Sequence, residues 1–349
     1  MSAPVVVLTP NIRGYDGISR LARLVTGAFG DVTVLALHEP PSATRLGPAG
    51  VRGAGGRSLR FAASALRGAA SADRRTIVIV THLHLAPAAL AFAARGASVT
   101  TMLCGVEAWK PVNRLQRAAL DRTARLIAIS QFTRDGFRSA NPHFADRAVA
   151  VCHLGVEPMP DANHAAGGPP SALIVGRMAT DERYKGHDLL LDIWREVAAA
   201  VQGACLRIVG DGDDRGRLEQ KAAALGLGDQ VRFLGRLDED ALLREYERCT
   251  AFVMPSRDEG FGFVFVEAMR AARACVGCRG AAAEIIADGE TGLLVEPGDR
   301  AQLLEGVVRV LRDRPATEAM GARGRARFLQ EFTAERFRDR FTALLPVAF

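Results

Sequence analysis

Residues 251–269 read AFVMPSRDEGFGFVFVEAM. An apolar run ending at Ser256, a polar loop RDEGFG that carries Glu259, and an apolar stretch from about Gly262 that carries Glu267 read as strand, glycine turn and helix. Such a unit repeats in parallel α/β sheets, where the loop leaves the carboxyl end of the strand and borders the ligand crevice. Gly260 and Gly262 let the backbone approach a ligand, and the N–H groups of the helix start can receive a phosphate or a hydroxyl. Glu259 then lies at the mouth of a cleft and Glu267 further in, so the pair need not flank one bond as the carboxylates of a hydrolase do. The plain alternative is two solvated glutamates on an ordinary helix.

The same alternation extends in both directions. VVVLT (5–9), VTVLAL (32–37), TIVIVT (76–81), SVTTML (98–103) and LIAIS (126–130) are separated by longer Ala/Leu/Arg-rich stretches of helical period. After the polar, Gly/Pro-rich break ANHAAGGPP (162–170), a second set runs SALIVG (171–176), CLRIVG (205–210), VRFLG (231–235), AFVMPS (251–256) and ACVGC (274–278). The fold class this predicts is α/β, with two doubly wound Rossmann-like domains facing each other across a cleft. The first is expected over 1–164 and the second over 165–328, followed by a C-terminal helical segment over 329–349.

A chain of 349 residues, 48% hydrophobic and 24% charged, suits two globular domains, and no apolar run reaches the roughly 18–20 residues of a membrane span. Its start, MSAPVVVLTP, reads as a first strand and not as a secretion signal. The six scattered cysteines suit reduced thiols, and Cys275-x-x-Cys278 has no second pair or histidine at ligand spacing, so no metal is expected. The net charge of +6 conceals an asymmetry: residues 1–160 hold 19 Lys+Arg against 9 Asp+Glu, and residues 161–349 hold 26 against 30. Arg45, Arg52, Arg57, Arg60, Arg67, Arg74 and Arg75 are accompanied only by Asp73. That patch is either a solvated face or a surface for anionic lipid or a diphosphate-bearing acceptor. With no recognition-helix motif, zinc-finger spacing or stacking platform beside it, nucleic acid is not an expected partner.

Other strand ends carry further candidates. In TPNIRGYDGISR, Gly14 and Gly17 lead into a helix and read equally as a phosphate approach or a tight turn. In IVGRMATDERYKGHDLLLDIW, Arg177 and Lys185 place two cations past one strand, either a place for a diphosphate or surface cations in a mobile loop, before a helix expected to turn Leu189, Leu190 and Ile193 to the sheet. Gly210 and Gly212 form a turn in IVGDGDD, while Phe233 and Leu234 either border a flat base or belong to the core. His82 and His84 end another strand, His84 reading better as structural.

Taken together, GRM with YKGHD, VRFLG, EGFGFVFVEA and AAAEIIADGETGLLVEPGD resemble the retaining glycosyltransferases of family 4, of GT-B fold, whose E-x7-E signature matches Glu259 and Glu267. The resemblance implies that the first domain binds an acceptor, the second a nucleotide sugar, and that the last helical segment packs back on the first domain. It implies that Arg177 and Lys185 hold the diphosphate, that Glu259 stands beside the transferred sugar as the catalytic carboxylate, and that Glu267 accepts ribose hydroxyls. Backbone at Phe261, Gly262 and Phe263 closes on sugar and phosphate, Gly210, Phe233 and Leu234 border the nucleotide, and Gly14 and Gly17 approach the diphosphate.

At TTMLCGVEAWK, Cys104 stands where the family commonly has a histidine; His82, Cys104 and Glu107 are expected on the sugar or acceptor side. Cysteine supplies neither the charge nor the two-nitrogen geometry of a histidine. The resemblance points to a metal-independent hexosyltransferase of polysaccharide biosynthesis, with no cofactor and GDP-mannose as co-substrate. Its expected acceptor is lipid-linked or a carbohydrate intermediate, and its place cytoplasmic, peripheral at the inner face of the plasma membrane. The alternatives are a UDP-sugar-dependent transferase and a non-catalytic nucleotide-sugar-binding protein.

Overall fold

A computed structural model describes residues 3–47, 49–159 and 168–346. The chain divides into two compact units, one running to Gly155 and resuming at Ala334, the other from Val156 to Thr333. The junction expected at residues 164 and 165 lies outside the described residues. The helix Arg314–Glu331 passes through position 329 within the second unit, and the helix Ala334–Leu344 belongs to the first, where it packs on the helix Gly17–Thr26.

The first unit holds β1 (Val5–Thr9), β2 (Val32–Ala36), β3 (Ala43–Leu46), β4 (Ala49–Gly53), β5 (Ile77–Val80), β6 (Ser98–Leu103), β7 (Arg125–Ala128) and β8 (Val149–Val151). They form one sheet in the order β3-β4-β2-β1-β5-β6-β7-β8. All neighbours are parallel except β3 and β4. The central strands are near-continuous apolar runs because helices cover both faces, and Val7, Leu8, Val78, Ile79 and Val80 are fully buried. On the helix Ser58–Ala70, Phe61, Ala65 and Ala69 recur at four-residue spacing and turn inward. The hairpin of β3 and β4 occupies a segment whose sequence reads as helical: ATRL and AGVRG contain one Val and two Gly, and their pairing comes from β2 on one side.

The second unit holds β9 (Ser171–Val175), β10 (Cys205–Val209), β11 (Val231–Gly235), β12 (Ala251–Met254), β13 (Ala274–Cys278) and β14 (Gly292–Val295), ordered β11-β10-β9-β12-β13-β14. Every neighbouring pair is parallel. The strand order reverses at β9, between β10 and β12, and an open sheet splits its loops into a crevice at such a point. On the helix His187–Ala200 the buried residues are His187, Leu190, Leu191, Ile193, Trp194 and Val197. Leu189, expected to face the sheet, is only partly covered; a window of 3.6 residues per turn centred on Trp194 takes in Leu191 instead. No helix among the described residues is long and apolar enough to cross a membrane.

A buried ion pair ties β10 to the helix Glu239–Arg248. Arg207, on β10, donates from Nη2 to Glu245 Oε1 at 2.7 Å, and both residues are under 10% exposed. Glu245→Ala would leave the guanidinium charged and unpartnered, so it should cost about 3–5 kcal/mol and lower the melting temperature, whereas replacing both partners by methionine should restore most of it. Thermal unfolding checks this, and an unchanged transition for Glu245→Ala would rule the pair out as a contributor.

Candidate functional site

Past the end of β9, residues Thr180–Lys185 form a 3₁₀ turn closed by Gly186 at φ 89°. A Cβ on Gly186 would lie 2.6 Å from Pro255 Cγ and 2.8 Å from Pro255 O, so only glycine lets the turn lie flush against the end of β12. The backbone N–H of Arg257 completes the contact, donating to Tyr184 O at 3.1 Å. From behind, Arg183 Nη2 donates to Asp214 Oδ1 at 2.7 Å, and Arg217 bridges Asp214 and Asp188 at 2.6 Å to each. The turn is thus held by charge-assisted bonds on one side and by close packing on the other.

Arg177 and Lys185 meet here on one carboxylate, Glu182, beside Glu259. Lys185 Nζ lies 2.8 Å from Glu182 Oε2, and the Arg177 guanidinium grips both oxygens of the same carboxylate, with Nε at 3.1 Å from Oε2. Glu182, 13% exposed in its side chain, therefore stands between the two cations like an internal anion. The sequence carries no local signal for it, since DERY reads as solvated polar chain. Burial pushes the Glu259 carboxyl above its ordinary value, Lys185 opposes that shift, and Glu182 adds to it. Burial likewise raises the Tyr184 phenol, reinforced by Glu182 and Glu259. At the neighbouring helix start, burial and Lys185 hold His187 down at about 4, so its imidazole is neutral at ordinary pH.

The loops beside this cluster are made of backbone. Gly210, at φ 138°, would carry a Cβ 1.9 Å from Gly176 O, so β9 and β10 approach too closely for any side chain there. Gly176 N–H donates to Val209 O at 3.0 Å and Gly210 N–H to Gly235 O at 2.9 Å, aligning the ends of β9, β10 and β11. Phe233 and Leu234 lie half-buried on β11, the edge strand.

The helix Phe263–Arg270 starts at Gly262, φ 105°, with no side-chain cap, so its first N–H groups are those of an uncapped helix. Phe261 is 2% exposed and packs against Phe332 and Phe263. Glu267 is buried at 2% exposure and accepts a hydrogen bond from Tyr246 Oη at 2.9 Å. Tyr246 comes from the helix Glu239–Arg248, and sequence reading missed it because no spacing within one element links the two residues.

In the first unit, His82, Cys104 and Glu107 gather past the ends of β5 and β6. Cys104 donates its backbone N–H to Glu107 Oε1 at 2.8 Å and its thiol to Thr81 O at 3.1 Å. Burial, reinforced by the Glu107 charge, pushes this thiol well above its ordinary value, so it is a neutral donor. Burial lowers His82 while Glu107 opposes the shift, and its Nδ1 accepts from His84 N–H at 3.3 Å. Between β1 and the helix Gly17–Thr26, Asp16 caps Ser19 N–H at 2.9 Å, and a Cβ on Gly14 would lie 2.4 Å from Asp16 Oδ2. The six cysteines are free, and no group of three or more His, Cys, Asp or Glu among the described residues is arranged to hold a metal ion.

Residues 169–313 match the family model of glycosyl transferases group 1. The chain is 29% identical over 222 residues to a GDP-mannose-dependent alpha-(1-6)-phosphatidylinositol monomannoside mannosyltransferase of Mycobacterium tuberculosis, covering 59% of this chain and 57% of that one. It is 34% identical over 169 residues to the GDP-mannose-dependent monoacylated alpha-(1-6)-phosphatidylinositol monomannoside mannosyltransferase of Corynebacterium glutamicum, covering 46% and 44%. The matches thus span about half the length of these curated relatives. Among solved structures, Anabaena HepE in complex with UDP and glucose superposes with a TM-score of 0.78 at 18% identity over 98% of both chains. Sucrose-phosphate synthase of Thermosynechococcus elongatus gives 0.78 at 19% identity, again over 98% of both. At these identities the likeness establishes the fold.

Proposed function

We propose that the protein, a chain of GT-B fold whose residues 169–313 match the family model of glycosyl transferases group 1, moves a sugar from a nucleotide-sugar donor to an acceptor hydroxyl. The observation that carries this reading is the pair of cations, Arg177 and Lys185, converging on Glu182 beside the half-buried Glu259. In the proposed step the bond between the sugar anomeric carbon and the diphosphate oxygen breaks, and the acceptor oxygen bonds to that carbon on the same face. The departing phosphate oxygen takes the acceptor proton. Arg177, Lys185 and the first N–H groups of the helix Phe263–Arg270 stabilise the charge growing on the diphosphate, and Glu259 the positive charge developing on the sugar. Glu267, held by Tyr246, accepts the ribose hydroxyls, and the segment at Gly210, Phe233 and Leu234 borders the base.

Two donor readings stand side by side. The sequence relatives are named for GDP-mannose, and the HepE structure that spans 98% of both chains holds UDP with glucose. The acceptor reading, a lipid-linked or carbohydrate intermediate, draws on the phosphatidylinositol mannosides in the names of the relatives.

A panel of GDP-mannose, UDP-glucose and UDP-N-acetylglucosamine, read out by slow donor hydrolysis, tests the reading without knowledge of the acceptor. One donor should be consumed, at a rate unchanged by a chelator. Failure to bind or consume any of them overturns sugar transfer, and loss on chelation with recovery by a divalent ion overturns the metal-free step.

A further inference from the structure

The first unit carries a cavity of about 390 Å³ at the hairpin edge of its sheet, lined among others by Ser42, Arg52, Arg60, Ser64 and Arg67. Arg52 is the penultimate residue of β4. Arg60, Ser64 and Arg67 recur at i, i+4 and i+7 on the helix Ser58–Ala70, so one helical face supplies two guanidinium groups and a hydroxyl.

Three guanidinium groups brought to one cavity repel each other unless an anion joins them, and no carboxylate lines this one. No ion pair or side-chain hydrogen bond of Arg52 or Arg60 occurs among the described residues. Arg67 spends only its Nε, on Ala63 O at 3.2 Å. Glu39, an acid on the loop after β2, is committed elsewhere: its Oε1 accepts from Ile12 and Arg13 N–H at 3.0 Å each, and Oε2 faces Arg13. Planar guanidinium forks with hydroxyls between them match a tetrahedral oxyanion in geometry and charge. The volume falls within the range of about 300–1,000 Å³ of small-molecule sites, which leaves room for the group that the phosphate esterifies.

We propose that this cavity is a binding site for a phosphate ester of a sugar or polyol, and that it holds the phosphate of the acceptor. Binding needs only the cavity, while the assignment to the acceptor rests on the sugar-transfer reading. The phosphate can be carried by a soluble ester or by a lipid headgroup. On the same helix Leu59 and Leu66 are 88% and 64% exposed, one residue before Arg60 and Arg67 respectively, which places apolar surface next to the cavity for a lipid-borne phosphate.

The test is calorimetric titration with myo-inositol 1-phosphate, and co-sedimentation with vesicles of phosphatidylinositol in phosphatidylcholine against phosphatidylcholine alone, for the wild type, Arg60→Gln and Arg52→Gln/Arg60→Gln/Arg67→Gln. The single variant should weaken binding about tenfold and the triple variant should abolish it, because each removes a charge-assisted contact. Unchanged thermal unfolding should show that both variants are folded. Binding of the soluble ester marks a soluble source, and binding of the phosphatidylinositol vesicles alone marks a lipid-borne one; either supports the site if the triple variant loses it. Equal binding by wild type and triple variant, or no binding to either probe, overturns it. Donor hydrolysis should be the same in wild type and triple variant, so a chain that binds the ester and consumes no donor would refute sugar transfer and leave the site standing.

Discussion

Lys185→Ala should lower the rate of sugar transfer at saturating donor by about 10²- to 10³-fold, the cost of removing one preorganised group from a developing oxyanion. The Lys185 side chain is 18% exposed and its ammonium is held 2.8 Å from Glu182, in a turn fastened to both Pro255 and Asp214, so little reorganisation is needed to present it to a diphosphate. A second consequence has a definite sign. Lys185 is the charge that opposes the upward shift of Glu259, so its removal should raise that carboxyl further and keep it protonated to higher pH. The acid limb of the kcat–pH profile should therefore move to higher pH in Lys185→Ala and stay near its wild-type position in Lys185→Arg. A rate within fivefold of wild type, with an unmoved acid limb, would remove Lys185 from the reaction.

The two glutamates should separate just as clearly. Glu259→Gln should lower kcat by about 10²-fold or more, about 3 kcal/mol of transition-state stabilisation, because it removes negative charge from beside the sugar as positive charge develops there. Glu267→Gln should chiefly raise the donor KM. The amide can keep the Tyr246 hydrogen bond through its oxygen, but it presents a donor where the carboxylate presented an acceptor to a ribose hydroxyl. Donor titrations at saturating acceptor measure both constants. Small and equal effects at the two positions would sink the site reading, and an inverted anomeric product would sink the retaining step even if both proved essential.

The legible parts of this fold are those where one strand or turn determines its own role. VVVLT, TIVIVT and SALIVG announce strands because a sheet covered on both faces leaves them no polar side, and Arg177, Lys185 and Glu259 announce themselves by standing at strand ends. The hairpin Ala43–Gly53 is not legible, because Ala, Gly and Arg carry little strand preference and its partner, β2, is distant in pattern. Glu182 and Tyr246 escape for a different reason. Each acts by reaching a residue that a 3₁₀ turn or a separate helix brings to it, and neither link is periodic in sequence. GRM and YKGHD thus read as two free cations, whereas the folded turn gives them a shared carboxylate.

The second unit, from Val156 to Thr333, interrupts the first, which takes up again only at Ala334. During synthesis the ribosome must release all of the interrupting segment before the helix Ala334–Leu344 exists, a delay of roughly 9–36 s at about 5–20 residues per second. Throughout that interval the nascent first unit lacks the buried rings of Phe337 and Phe341, and the helix Gly17–Thr26 lacks its partner. The second unit, contiguous in the chain, has every strand it needs by Val295. The half of this protein that leaves the ribosome earliest is therefore the one completed last.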